Sequence, residues 1–174
     1  MDVVSRKDIE AAASRINGRV RRTPVIQLEE AAFGIDAEIF LKLELFQHTG
    51  SFKPRGAFNR ILSADVPRAG VITASGGNHG QAVAYASRIL GIDAEIFVPE
   101  GSPALKAERI RRHGAALTVT GQYYDDAMDA CRARALETGA LLVHPYDHPD
   151  VVAGQGSVGR EMEDQLPDVD AILV

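Results

Sequence analysis

Between Val71 and Val143 short apolar runs alternate with longer stretches of helical period. The runs are Val71-Ile72-Thr73-Ala74, Ala94-Glu95-Ile96-Phe97-Val98, Ala116-Leu117-Thr118-Val119 and Ala140-Leu141-Leu142-Val143. Each is bounded by turn residues, as strands buried on both faces are. Helices are predicted near 53–63, 79–90, 104–113 and 123–138, with Gly91, Gly114 and Gly139 at their C-terminal ends. This alternation gives a three-layer α/β fold, a mainly parallel twisted sheet with helices on both faces. Ligands of such sheets bind beyond the carboxyl ends of the strands.

The flanks are less regular. Ser5 and Asp8, leading into Ile9, Ala12, Ala13 and Ile16, predict a capped amphipathic helix that Asn17-Gly18 ends. Arg22-Thr23-Pro24-Val25 reads as extended, because the residue before a proline is pushed out of the helical region. Residues 37–44 alternate as a half-buried strand does. A helix over roughly 151–166 follows near the end. Gly154 and Gly156 lie inside it at a cost of about 1 kcal/mol each, which close packing on a neighbouring backbone explains. The chain stops within the predicted strand Ala171–Val174, which reads as a larger protein cut at that point; a short edge strand is the alternative.

Composition narrows the function classes. The 174 residues, 45% hydrophobic, are enough for one domain with a real core. The 24 acidic and 19 basic residues are interspersed and leave a net charge of -5, which excludes a large nucleic-acid footprint. No signal-peptide core or membrane-length apolar run is present. Cys131 is the single cysteine, so an internal disulfide and a cysteine-built metal site are excluded, and a reducing, cytoplasmic setting is expected. His113 and His148 read as surface residues, no histidine pair has metal-ligand spacing, and no metal site is expected.

Two stretches carry candidate chemistry. Thr49-Gly50-Ser51-Phe52-Lys53-Pro54-Arg55-Gly56-Ala57 places Lys53 where the chain enters a helix. The helix dipole and partial burial both disfavour its ammonium form. A readily deprotonated amine is what a Schiff base with an aldehyde requires. A lone lysine is ordinarily a solvated surface group; its small neighbours favour a ligand site here.

Ser75-Gly76-Gly77-Asn78-His79-Gly80 opens the next helix, so its free N–H groups form an anion site. Ser75 adds a hydroxyl, and Asn78 is suited to donate to a phenolate-like oxygen. The alternative is that Asn78 caps the helix and the glycines make a turn; the stretch does not match the dinucleotide fingerprint. His79 reads as structural rather than as a proton carrier, and His144 ends a strand at the ligand edge. A non-catalytic module that holds an anion or an amino acid stays open on these grounds.

Taken together, Ser51–Ala57, Ser75–Gly80 and His144-Pro145-Tyr146-Asp147 through Ala153-Gly154-Gln155-Gly156-Ser157 resemble the threonine/serine dehydratase branch of the fold-type II pyridoxal-phosphate enzymes. The resemblance covers nearly the whole chain and implies pyridoxal 5'-phosphate as cofactor. It implies that Lys53 carries the Schiff base, that Phe52 packs on the cofactor ring and that Asn78 contacts the ring's 3-oxygen. It also implies that Ser75, Gly76, Gly77, Asn78 and His79 cradle the carboxylate of a small amino-acid substrate. The implied reaction is β-elimination of L-threonine or L-serine to a 2-oxo acid and ammonia, with Lys53 removing the α-proton.

Serine racemases place a serine where this chain has Gly76, and synthases usually show Asn-Thr-Gly in place of Asn78-His79-Gly80, so both rank below a dehydratase. By the same resemblance, residues 48–149 form a small domain, and 1–47 and 150–174 belong to a large domain. The phosphate-binding loop and the partner of the pyridine nitrogen are expected after Val174, so the piece alone is expected to be inactive. The full-length enzyme is expected to be a homo-oligomer.

Overall fold

The structure, a computed structural model, describes residues 4–174. The first helix, α1 (Arg6–Ile16), begins as its sequence predicts: Ser5 accepts from the Asp8 amide, and the Asp8 carboxylate accepts from the Ser5 amide at 2.8 Å. Ala12 and Ile16 form its buried face. The extended arm becomes β1 (Val25–Gln27), which pairs antiparallel with β2 (Phe40–Lys42) as a separate two-stranded sheet.

From there the chain runs α2 (Lys53–Leu62), β3 (Val71–Ala74), α3 (Asn78–Leu90), β4 (Ala94–Val98), α4 (Ala104–Arg112), β5 (Ala116–Val119), α5 (Tyr124–Thr138), β6 (Leu141–Leu142) and α6 (Pro149–Gln165). Gly91 and Gly139 end α3 and α5 with φ of 68° and 74°, a region open to glycine without steric cost.

The main sheet is wholly parallel, in the order β5-β4-β3-β6. Successive side chains of a strand face opposite sides. Val71, Ile96 and Val98 therefore pack with Phe58, Ile61, Val83 and Ile110 of the helices on one face. Ile72, Ala74 and Phe97 meet Ala127, Met128 and Cys131 of α5 on the other. Burying one side chain of this size contributes about 2 kcal/mol, and the two cores fix the three layers.

Several sequence expectations change. The alternating stretch 37–44 is in ladder only at 40–42, because a 3-10 turn, Glu44–Phe46, takes over after Leu43. The run 140–143 contributes two ladder residues, extended by a 2.9 Å bond from the Val143 amide to the Ile72 carbonyl. Ala171–Val174 is exposed and forms no strand, since no neighbouring strand offers it a ladder. His113 is not a free surface group: its ring packs edge-on to Tyr85, with centroids 5.5 Å apart. His148 caps α6, its Nδ1 accepting from the Asp150 amide at 3.2 Å.

The two glycines of α6 have the expected reason in part. A Cβ on Gly154 would lie 2.6 Å from the Arg55 carbonyl oxygen and 2.7 Å from the Gly56 Cα, so α6 crosses α2 at backbone contact. At Gly156 the neighbour is the Ile9 side chain, 2.8 Å away, rather than backbone.

Candidate functional site

Strand order locates the site. The chain steps from β3 outward to β4 and β5, then returns to place β6 on the other side of β3. The loops after β3 and β6 are therefore neighbours at the carboxyl edge of the sheet, where open α/β sheets bind ligands. Both candidate stretches are tied to this edge through the segment that leaves β6.

Lys53 is the first residue of α2, and Pro54 behind it suits a first turn, where its missing N–H has no partner to lose. Thr49 and Gly50, with φ of 61° and 75°, turn the chain into that start. The Lys53 Nζ donates to the Pro145 carbonyl oxygen at 2.9 Å and lies 5.0 Å from the centroid of the Phe52 ring. Among the described residues no carboxylate forms an ion pair with it. Burial lowers its pKa from the ordinary lysine value, since a half-buried ammonium loses hydration that a neutral carbonyl replaces only in part.

The loop after β3 is fixed by its backbone. The Ser75 amide donates to the Phe97 carbonyl at 2.9 Å, and the Ser75 hydroxyl accepts from the Gly77 amide at 3.2 Å. Gly77 is the N-cap of α3, a helix of 13 residues with no side-chain cap, so its first amides lack an intrahelical acceptor. Asn78 therefore does not cap the helix; its side chain is not buried. A Cβ on Gly80 would strike the Ser75 carbonyl and meet Ile96 and Ile110, so glycine lets α3 seat on the sheet. Gly76 and Gly77 differ: a Cβ on Gly76 would lie 2.6 Å from the Ser102 hydroxyl, whereas one on Gly77 meets nothing nearer than 3.8 Å.

His79 is buried at 3% exposure, and its side chain turns into the protein. Nε2 lies 2.9 Å from the Val143 carbonyl oxygen, which also accepts from the Thr73 hydroxyl at 2.7 Å. A carbonyl only accepts, so the proton sits on Nε2, and Nδ1 has no partner among the described residues. Desolvation pushes the imidazole pKa down to about 4, outweighing the Val143 bond that favours the cation. The ring is neutral at pH 7 and is taken up by the Val143 carbonyl inside the protein. His144 uses Nδ1 to accept from the Asp147 amide at 2.8 Å, and burial lowers its pKa as well.

The structure thus brings Lys53 and His79 to carbonyls two positions apart, Pro145 and Val143. Sequence reasoning missed both acceptors, because backbone oxygens carry no residue signature. It also left Arg55 without a part, although the side chain is fully buried.

Residues 16–174 match the model of a protein family described as "Pyridoxal-phosphate dependent enzyme". The chain belongs to this family. It is 43% identical over 168 residues to an L-threonine ammonia-lyase of Geobacter sulfurreducens, covering 95% of this chain and 42% of that protein. Its fold is similar to a threonine deaminase from T.th., with a TM-score of 0.87 and 37% identity over 97% of this chain and 54% of that one. Maize serine racemase is similar at a TM-score of 0.88 and 35% identity, over 94% of this chain and 50% of that one. The chain spans about half the length of the relatives it matches.

The cofactor of this family is pyridoxal phosphate, and the residues present fit it. A half-buried primary amine with a lowered pKa suits an aldehyde partner. The partly exposed ring of Phe52 beside it offers an aromatic face, and the uncapped α3 terminus offers amides to an anion. Among the described residues, no helix is long and apolar enough to cross a membrane.

Proposed function

We propose that these 174 residues supply the lysine-bearing half of an ammonia-lyase acting on L-threonine or L-serine, which leaves a 2-oxo acid and ammonia. The observation that carries it is the half-buried Lys53 amine, hydrogen-bonded to Pro145 at the switch point of the sheet. Similarity to the ammonia-lyase of Geobacter sulfurreducens supports the substrate class.

In this reading Lys53 would hold the cofactor aldehyde, Phe52 would offer its ring to the cofactor and Asn78 would be the donor for the ring's 3-oxygen. When bound, pyridoxal phosphate supplies an electron sink for the charge left on the substrate α-carbon. Once the substrate amine had replaced it on the aldehyde, the freed Lys53 Nζ would take the α-proton, which its lowered pKa favours by keeping more of the amine neutral. Ser75, Gly76, Gly77, Asn78 and His79 would cradle the substrate carboxylate at the positive end of α3. The donors would be the Ser75 hydroxyl and the amides of Gly76, Asn78 and His79, since the Ser75 and Gly77 amides already donate to Phe97 and Ser75. With the proton that Lys53 took, the β-hydroxyl would leave as water, and the enamine released would pass through its imine and be hydrolysed to the 2-oxo acid and ammonia.

The proposal includes two parts of the chain, 48–149 and the joined ends 1–47 with 150–174. Packing of α1 on α6 supports the joining, and packing of α2 on α6 connects the parts. It also includes a homo-oligomeric full-length protein in a reducing, cytoplasmic setting, which the single buried thiol of Cys131 suits.

The maize racemase similarity makes racemisation the second reading. Gly76 argues against it: it offers no side-chain base where racemases place a serine. The test uses the protein at the length of its relatives. Borohydride reduction with pyridoxal phosphate should label Lys53, and L-threonine or L-serine should release a 2-oxo acid. Label elsewhere, or no 2-oxo acid from either substrate, overturns the proposal. D-serine formed faster than 2-oxo acid would favour the racemase.

A further inference from the structure

Arg55 is the largest fully buried side chain among the described residues, at 0% exposure. Its Nε and Nη2 grip Glu44 at 2.8 Å each, and its Nη1 and Nη2 grip Glu161 at 2.7 and 3.1 Å. Ser157 and the Arg21 carbonyl, both at 3.2 Å, complete the shell. Lys42 binds the outer side of Glu161 at 2.6 Å, so two cations meet two carboxylates and the formal charge cancels.

Apolar residues of the same volume often stabilise a protein as well as such a cluster does. What it adds here is geometry. The N-terminal turn of α2 has no side-chain cap, and Lys53 and Arg55 share that turn. Residues two apart on a helix point in different directions, so Lys53 reaches Pro145 while Arg55 reaches inward to α6 and to the turn after β2. The Gly56 amide adds a 3.2 Å bond to Gln155 of α6.

We infer that Arg55, forked between Glu44 and Glu161, is a positioning residue that holds the first turn of α2 so that the Lys53 amine stays half-buried against Pro145. This rests on the proposed function only in giving Lys53 its chemical task. Among the titratable groups around Lys53 and the loop, His79 and His144 are disfavoured as cations by burial, the Asp147 carboxylate acts on His144, and burial is the one cause behind the Lys53 shift. The charge state of the amine then follows how far the turn keeps it from water.

The experiment reads Lys53 in the cofactor-free, full-length protein. Acetylation by limiting acetic anhydride is followed against pH by peptide mass spectrometry, with exposed Lys106 as internal standard. Wild type should acetylate Lys53 at lower pH than Lys106. Arg55→Met with Glu44→Gln removes one charge of each sign and leaves the Lys42–Glu161 pair, so the interior stays balanced. In that variant the Lys53 profile should move up to that of Lys106, and reactivity at neutral pH should fall several-fold.

Arg55→Lys keeps the charge but loses the paired forks, and should shift the profile part of the way. A folded double variant with the wild-type profile overturns the inference. If the double variant does not fold, an unshifted profile in Arg55→Lys overturns it, as does a wild-type Lys53 that titrates with Lys106. Failure of pyridoxal phosphate to label Lys53 would sink the functional reading instead and leave this comparison intact.

Discussion

Lys53 and Pro145 lie 92 positions apart and meet through a 2.9 Å hydrogen bond from the lysine Nζ to the proline carbonyl oxygen. The acceptor is neutral, so it orients the amine without providing the counter-charge that would favour an ammonium ion. A carboxylate in the same place would hold the lysine protonated. The site therefore combines a fixed direction with a lowered pKa.

Lys53→Ala should abolish reductive labelling by pyridoxal phosphate at this position and lower 2-oxo acid release by at least ~10²-fold. The side chain is only half-buried, so the urea unfolding free energy should change by less than about 1 kcal/mol. A variant that keeps its activity would show that another group moves the proton.

Gly77→Ala separates ligand approach from folding. Its Cβ would enter open space, the nearest atom being the Ser75 hydroxyl at 3.8 Å, so stability should stay within about 1 kcal/mol of wild type. The methyl group stands beside the amides proposed to take the carboxylate. Steady-state kinetics should show KM for L-threonine rising several-fold, and an unchanged KM would move the carboxylate elsewhere.

Two glycines of α6 should respond with opposite sign. Gly154→Ala places a methyl group 2.6 Å from the Arg55 carbonyl oxygen and should cost about 1–3 kcal/mol as the helices are pushed apart. Gly159→Ala meets nothing within 4 Å and should stabilise by up to about 1 kcal/mol through helix propensity. Urea titrations of both variants check the pair.

His79 sets an acid limit. Its folded pKa of about 4 lies below the ordinary value of 6.5, so between these values the unfolded chain binds a proton that the native chain refuses. The His79 contribution is present above pH 6.5 and is lost as pH falls towards 4, about 3 kcal/mol in all. His79→Gln keeps a donor for Val143 without the titration. Its unfolding free energy should fall less than that of wild type between about pH 7 and pH 4.5, and parallel curves would refute the assignment.

Much of the fold was legible because buried parallel strands announce themselves as apolar runs. Val71–Ala74 lies in ladder along its whole predicted length, and Gly91 and Gly139 stop their helices with positive φ. Strand order was not legible: nothing in Leu141-Leu142 says that β6 joins β3 rather than β5, yet that choice sets the segment after β6 beside the loop after β3. Lys53 and the glycine loop stood out by residue type. Their anchors did not, since two are main-chain oxygens. Arg55 reads in sequence as one more basic residue, and only its Glu44 and Glu161 partners, 11 and 106 positions away, give it a task. Ala171–Val174 shows the limit of patterning, because an apolar run becomes a strand only beside another.

The strand that leads to both anchoring carbonyls is also the shortest of the main sheet. β6 is in register with β3 at Leu141 and Leu142, the Val143 amide adds one bond to Ile72, and the carbonyls of Val143 and Pro145 hold His79 and then Lys53. Strand ends with few ladder bonds open first in local fluctuations. An opening at β6 would release the imidazole and the amine in the same event, which ties the order of both stretches to one short strand.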